Sequence, residues 1–275
     1  MGLTKSILPA LKYYLRADTL YNVHSPFIYH FTENILDDQR YFYAFEKLDR
    51  MRSKLLSDST SLKIVDFGAG SKAGQAAQRK VSQLAATLLT NETIGAVLFK
   101  IVNEYKTKNI LELGTALGVG SLYMAMAAPE SATVYTIEGN PALAAFARKQ
   151  FDKIEAKNIV SIEGTFEAQL PTVLASMGQV DLVYFDGHHQ KEATLAYFEQ
   201  CLKVANNNSV FVFDDINWSD GMRAAWEEIK AHPNVTYSVD LFRAGIVFFK
   251  ESKQGKQHFT LIEHKWKPWS AGFFN

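Results

Sequence analysis

From residue 109 onward the chain alternates apolar runs of strand length with runs of helix length. NILELG is followed by SLYMAMAA, ATVYTIE by PALAAFARKQFDKI, and NIVSIEG by FEAQLPTVLASM. VDLVYFD then leads to EATLAYFEQCLKVA, and SVFVFDD to GMRAAWEEIKAHP. The strands are apolar throughout rather than alternating, so both faces must be covered. A mostly parallel, doubly wound α/β sheet with helices on both sides meets that demand. The last part differs. VTYSVDLF and GIVFFK, joined by a short turn containing Arg243 and Gly245, read as a C-terminal antiparallel hairpin closing the sheet, with QHFTLI as a further strand.

Residues 1–90 read as a helical N-terminal extension, and residues 91–275 as the sheet domain. In the first helical stretch Ile7, Leu8, Leu11, Tyr14 and Leu15 recur at helical spacing opposite Lys5, Lys12 and Arg16, which predicts a partly buried helical layer. A second face, Tyr41, Phe45, Leu48, Met51 and Leu55, is opened by Asp38 as a cap. Between them lies the aromatic stretch YNVHSPFIYHF. GQAAQRKVSQLAATLL and TIGAVLFKIVNEY predict two more helices. The extension could roof a substrate pocket or build a homodimer interface.

Composition removes several classes. Lys and Arg number 29, as do Asp and Glu, so the net charge of zero gives no pull toward nucleic acid or an anionic membrane. The expectation is no nucleic-acid and no membrane partner. The single cysteine, Cys201, excludes an intramolecular disulfide framework and fits a cytoplasmic location. No run approaches the roughly 20 apolar residues of a membrane span. The first residues lack the apolar core of a signal peptide, although MGLTKS matches the loose myristoylation pattern.

Two segments look like nucleotide-binding turns: KIVDFGAGSK (63–72) and NILELGTALGVGS (109–121). Such a site needs a strand feeding a helix whose N-terminus faces the ligand, then a second strand ending in an acid for the ribose hydroxyls. Only the second segment has this sequel, in VYTIE with Glu138. The first then reads as a turn between helical segments, or as a loop bringing Asp66, Ser71 or Lys72 to a substrate. The glycines Gly114, Gly118 and Gly120 give GxxxGxG rather than the dinucleotide GxGxxG, with Glu112 just ahead. Glu112 is a poor neighbour for a pyrophosphate and a good one for a cationic amino group, such as S-adenosylmethionine carries.

On ILELGTALGVGSLYMA and VYTIEGNP, residues 91–250 resemble the Rossmann-like class I S-adenosylmethionine-dependent methyltransferases, and among them the O-methyltransferases of the catechol and caffeoyl-CoA type. The resemblance implies S-adenosylmethionine as cofactor. It places Glu112, Gly114, Thr115, Gly118, Gly120 and Ser121 around the methionine portion, and Glu138 with Gly139 at the ribose. Phe166 and Glu167 would lie beside the adenine, and Asp186, at the end of its strand, is a candidate for both cofactor binding and catalysis. TNETIG would pass over the cofactor with Asn91 and Thr93.

The strand ends YFDGHHQ and VFDDINW carry Asp186, His188, His189, Asp214 and Asp215, five ionisable groups where a parallel sheet binds its ligands. Two mechanisms compete. The metal-dependent relatives bind a divalent cation such as Mg²⁺ at positions matching Asp186, Asp214 and Asp215, and the ion activates the acceptor hydroxyl. Here Asp215 stands where Asn is usual, and His189 where those enzymes carry lysine. This favours His189 as general base, oriented by Asp214 or Asp215. His188 reads as a helix cap or water contact, Trp218 as a pocket wall and Trp226 as core. His258 and His264 show no evident partner.

The function expected is O-methylation of a small hydroxyl acceptor, an aromatic one by preference, with N-methylation as the open alternative. The competing classes are an NAD(P)-dependent oxidoreductase on the same type of sheet, and a non-catalytic module that has kept the cofactor pocket.

Overall fold

The computed structural model describes residues 3–65 and 76–270. In chain order its elements begin with α1 (Leu3–Arg16), α2 (Pro26–Phe31), α3 (Tyr43–Ser57), β1 (Ser61–Val65), β2 (Ala76–Lys80), α4 (Val81–Leu88) and α5 (Glu92–Tyr105). The strand–helix series follows: β3 (Asn109–Leu113), α6 (Val119–Ala127), β4 (Thr133–Glu138), α7 (Pro141–Ile154), β5 (Ile159–Glu163), α8 (Phe166–Met177), β6 (Val180–Phe185) and α9 (Lys191–Leu202). Then come β7 (Ala205–Phe213), α10 (Asp220–Ala231), β8 (Tyr237–Asp240), β9 (Gly245–Phe248) and β10 (Gln257–Thr260). The chain divides into two units. The larger holds Tyr41–His188 and Ala196–Asn206, the smaller Met1–Arg40, His189–Leu195 and Asn207–Asn275.

In the larger unit β3 lies between β4 and β6, β4 also pairs with β5, and all three pairings are parallel. Ile110, Leu111 and Leu113 are buried, as a strand with both faces covered requires. Sequence-coded caps fix where the helices begin. The Asn91 side chain accepts from the Thr93 and Ile94 amides at the start of α5. Asn140 does the same for α7, whose first residue is Pro141. A core of Leu48, Met51, Leu55, Val81, Phe99, Leu122, Tyr123 and Phe146 joins α3 to α7.

Two expectations for this unit are corrected. α3 opens at Tyr43 with Phe42 at its cap position, while Asp38 accepts from the backbone and guanidinium of Arg40. Residues 76–80, expected to begin a helix, form an antiparallel hairpin arm from Ser61↔Lys80 to Val65↔Ala76. AAQRK suits a helix by local propensity, but the β-favouring SLKIV offers a ladder of backbone hydrogen bonds that outweighs it. Asp66, Ser71 and Lys72, with the glycines of that segment, lie outside the described residues, as does the Gly2 of the myristoylation pattern. The flanks of the segment are strands, not the helices expected.

In the smaller unit β9 is antiparallel to both β7 and β8, which realises the expected hairpin, and β10 adds parallel to β8. The N-terminal segment is woven into this unit. Asp18 N–H donates to Thr260 O (2.8 Å) and Ile262 N–H to Asp18 O (3.0 Å). Tyr13 donates its hydroxyl to Leu261 O, and Lys267 Nζ donates to Ala17 O (2.7 Å). Phe27 packs its ring on Tyr237 and Phe248. Of the expected partly buried stripe of α1, Leu8, Leu11 and Leu15 turn outward instead, at 58%, 50% and 70% exposure, while Tyr14 is half-buried and donates its hydroxyl to Trp266 O. Tyr13 and Ala17 are the residues that face inward, because their neighbours are supplied by the far end of the chain.

Candidate active site

The turn after β3 is shaped by close approaches that exclude side chains. Gly114 has φ +109°, and a Cβ there would stand 2.2 Å from the Asp186 carbonyl oxygen. A Cβ on Gly120, in the first turn of α6, would meet Glu112 Oε1 at 2.4 Å. Gly120 thus lets the first turn of α6 close over a buried acid, Glu112, which is 1% exposed. Its Oε2 accepts from the Ser121 hydroxyl and from Thr136 Oγ1 at 2.6 Å, and Thr136 in turn bonds to Thr115. Thr136 stands directly opposite Glu112 in the β3/β4 register. Burial pushes the Glu112 carboxyl up to about 7; the two hydroxyl donors lower it against this, and Glu138 adds to the rise.

Glu138, at the end of β4, is held by backbone donors. The Ala116 amide reaches Oε2 at 2.8 Å and the Asn140 amide reaches Oε1 at 2.8 Å. Burial raises its carboxyl above the usual range, and these amides oppose the rise. Gly139 follows it, and the Gly164 amide donates to the Glu138 carbonyl at 2.9 Å. Asn91 is committed to capping α5 through its side-chain oxygen, with Thr93 in the first turn of that helix.

At the end of β5 the expected adenine-side residues belong to a cluster that the sequence reading missed. The Tyr197 hydroxyl donates to Glu167 and lies 2.8 Å from His188 Nδ1, and the His188 ring is stacked on Tyr197. The Phe166 ring meets both rings edge-on and fills the space where Gly187 has no side chain. The Tyr197 hydrogen bond is the largest of the effects holding the Glu167 carboxyl below its ordinary range. His188, expected to cap a helix or meet water, is instead bonded to an aromatic hydroxyl from a backbone at φ +63°. Only the spacing from α8 to α9 in the folded chain brings Tyr197 there, so no local motif announces it.

The five ionisable groups fall into three sets within the two units. His188 belongs to the cluster just described. In the same unit Asp186 donates its amide to Leu113 O (2.9 Å) and accepts from the Tyr184 hydroxyl at 3.1 Å. In the smaller unit His189 Nε2 stands 3.9 Å from Asp215 Oδ2, an ion-pair separation rather than a hydrogen bond. Asp215 has φ +52° and Asp214 is 2% exposed. Arg243 reaches both, its Nε 3.3 Å from Asp214 Oδ1 and its Nη2 3.3 Å from Asp215 Oδ1. Burial and then the adjacent Asp214 push the Asp215 carboxyl above the usual range, with Arg243 and His189 pulling it back.

A hard divalent ion needs several oxygens converging on one point at roughly 2 Å. Among the described residues no group of three or more His, Cys, Asp or Glu side chains is placed to hold an ion. The carboxylates of Asp214 and Asp215 are turned to a guanidinium instead, so the residues do not fit a metal as they stand. Trp218 is 57% exposed, whereas Trp226 is buried core as expected. His258 and His264 do have partners: Ser238 Oγ lies 2.7 Å from His258 Nδ1, and the His264 amide donates to Asp37 at 2.8 Å.

Comparison with known proteins agrees with the glycine turn and sheet. The description of a methyltransferase domain matches residues 111–216. The chain is 31% identical over 113 residues to a catechol O-methyltransferase of Niastella koreensis, a match covering 40% of this chain and 50% of that relative. It is 27% identical over 138 residues to a catechol O-methyltransferase of Mycobacterium tuberculosis, covering 50% and 61%. It thus spans about half the length of the curated relatives it matches. Among solved structures, an O-methyltransferase from Bacillus cereus in complex with SAH shares the fold. Its TM-score is 0.55 at 18% identity, over 76% of this chain and 92% of that one. Over residues 111–216 the chain therefore resembles a methyltransferase domain, and its curated relatives there are catechol O-methyltransferases.

Proposed function

We propose that the protein is an S-adenosylmethionine-dependent O-methyltransferase acting on a small hydroxyl acceptor, an aromatic one by preference, in the cytoplasm. The observation that carries this reading is the buried Glu112 carboxyl beneath the Gly114 and Gly120 backbone, with Glu138 fixed by amides at the end of the next strand. An anionic carboxylate in that place repels a pyrophosphate and attracts an ammonium, so a nicotinamide dinucleotide is disfavoured. The cluster of Phe166, Glu167, His188 and Tyr197, in which only Tyr197 is buried, would border the adenine.

When bound, S-adenosylmethionine supplies an electrophilic methyl group on its sulfonium. This chain's residues then hold and deprotonate. Glu112 receives the cationic amino group and Glu138 the ribose hydroxyls, while Thr115, Gly118, Ser121 and Gly139 complete the cradle. Asn91 and Thr93 would close it from the start of α5. His189 takes the proton of the acceptor hydroxyl, and Asp215 faces the imidazolium that results. Hydrogen bonds of this kind are long before substrate arrives and tighten in the complex. Asp186 would bound the cofactor side of the reacting atoms. No step is assigned to Mg²⁺, because Arg243 already engages Asp214 and Asp215. Residues 1–90 would select the acceptor, and a homodimer would draw on the outward Leu8, Leu11 and Leu15.

Two measurements test this. Calorimetric titration should give binding of S-adenosylhomocysteine and none of NADH; the reverse result removes the reading. His189→Ala, assayed on a panel of phenolic acceptors with and without EDTA, should lose about 100-fold or more in turnover at unchanged cofactor affinity. Full turnover in that variant eliminates His189 as base, and loss of wild-type turnover with chelator moves the mechanism to a metal.

A further inference from the structure

We propose that Arg243 is a built-in counter-cation: its guanidinium occupies the place between Asp214 and Asp215 that an ion would need, so the loop after β7 carries no metal affinity of its own. Consecutive side chains on a strand point to opposite faces. The left-handed backbone at Asp215 breaks that alternation just past the end of β7, and both carboxylates reach one edge of the same guanidinium. Nε and Nη2 form that edge: Nε donates to Asp214 Oδ1 at 3.3 Å, and Nη2 stands 3.3 Å from Asp215 Oδ1 as an ion pair. Asp214 is almost wholly buried, so its charge needs a partner on the spot.

The arginine is placed by backbone bonds, not by chance contact of a mobile side chain. Ile216 N–H donates to Arg243 O at 3.1 Å, and Asn217 Nδ2 donates to Phe242 O at 2.6 Å. Phe242, at φ +66°, is held by its amide on Asp240 Oδ1 at 2.7 Å. The acidic loop and the β8–β9 turn are therefore pinned together at Phe242 and at Arg243 itself. Such preorganisation is what a positioning group requires. Arg243 fixes Asp215, and Asp215 faces His189, so the role of Arg243 in turnover rests on the reading of His189 as base. The claim about metal affinity does not.

The test is Mn²⁺ binding by electron paramagnetic resonance, on purified full-length wild type, Arg243→Ala, Arg243→Gln and Arg243→Lys. Wild type and Arg243→Lys should leave Mn²⁺ free into the millimolar range. Arg243→Ala and Arg243→Gln should each gain one Mn²⁺ site at least about tenfold tighter than any in wild type, because two carboxylates are left facing each other with no cation between them. Adding Asp214→Asn to either variant should abolish the gain. The proposal is overturned if wild type binds Mn²⁺ as well as the variants do, or if folded Arg243→Ala or Arg243→Gln gains nothing. S-adenosylhomocysteine titrations on the same samples keep the two ideas apart. Failure of the wild type to bind it would count against the methyltransferase reading, and would leave the Mn²⁺ result to be judged alone.

Discussion

Replacing Glu112 by Gln should stabilise the free protein at alkaline pH while destroying its cofactor site. The folded carboxyl titrates near 7 against 4.5 for the free group, chiefly because burial disfavours its charge. At about 1.4 kcal/mol per pKa unit, a rise from 4.5 to about 7 is worth about 3 kcal/mol. The sign follows from proton counts. Between pH 4.5 and 7 the unfolded chain has released this proton and the folded chain still holds it, so stability falls as pH rises through that window. Above pH 7 the folded protein bears the full cost. Gln cannot ionise, so the variant should match wild type near pH 4.5 and exceed it by up to about 3 kcal/mol at pH 8. Urea unfolding at both pH values, followed by circular dichroism, measures the difference. Cofactor binding should move oppositely. Loss of a buried charged partner costs about 3–5 kcal/mol, so S-adenosylhomocysteine affinity should fall more than 100-fold. A stability difference that does not change from pH 4.5 to 8 would refute the assignment of a neutral-range carboxyl. Undiminished affinity would refute its role toward the amino group.

Tyr197→Phe removes the hydroxyl that Glu167 and His188 share. It should lower stability by about 1 kcal/mol and weaken S-adenosylhomocysteine binding several-fold, with turnover at saturating cofactor unchanged; calorimetry and steady-state kinetics check this. Cys201 is fully buried and its thiol is pushed well above its ordinary range by burial, so a thiol reagent should modify it only after unfolding. Rapid labelling of the native protein would mean that α9 opens far more readily than its packing implies.

The glycine turn and the two acids of the candidate site were legible because their signals are local. The strand, the glycine turn and the second acid lie within 30 residues of one another, and the close approaches at Gly114 and Gly120 leave no room for a side chain there. The residues that complete the site were not legible, because only tertiary register brings them in. Thr136 is opposite Glu112 by strand pairing, and Tyr197 meets Glu167 across two helices. Arg243 could be seen in a turn of the sequence, but its alignment with Asp214 and Asp215 depends on β9 lying antiparallel to β7. The hairpin at 61–80 went unread for a related reason. AAQRK carries helix-forming residues, and its strand conformation is imposed by a partner strand rather than by its own composition.

The interlacing of the first 40 residues with the last part of the chain has a consequence for synthesis. Tyr13 waits for Leu261, 248 residues later, and Ala17 for Lys267, 250 residues later. At about 5–20 residues per second, the aromatic N-terminal segment spends roughly ten to fifty seconds outside the ribosome before its partners exist. During that interval Tyr13 and Phe27 have no native surface to cover them. Newly made chains should therefore depend on chaperone holding more than their finished stability would suggest, and faster translation of the closing segment should raise soluble yield.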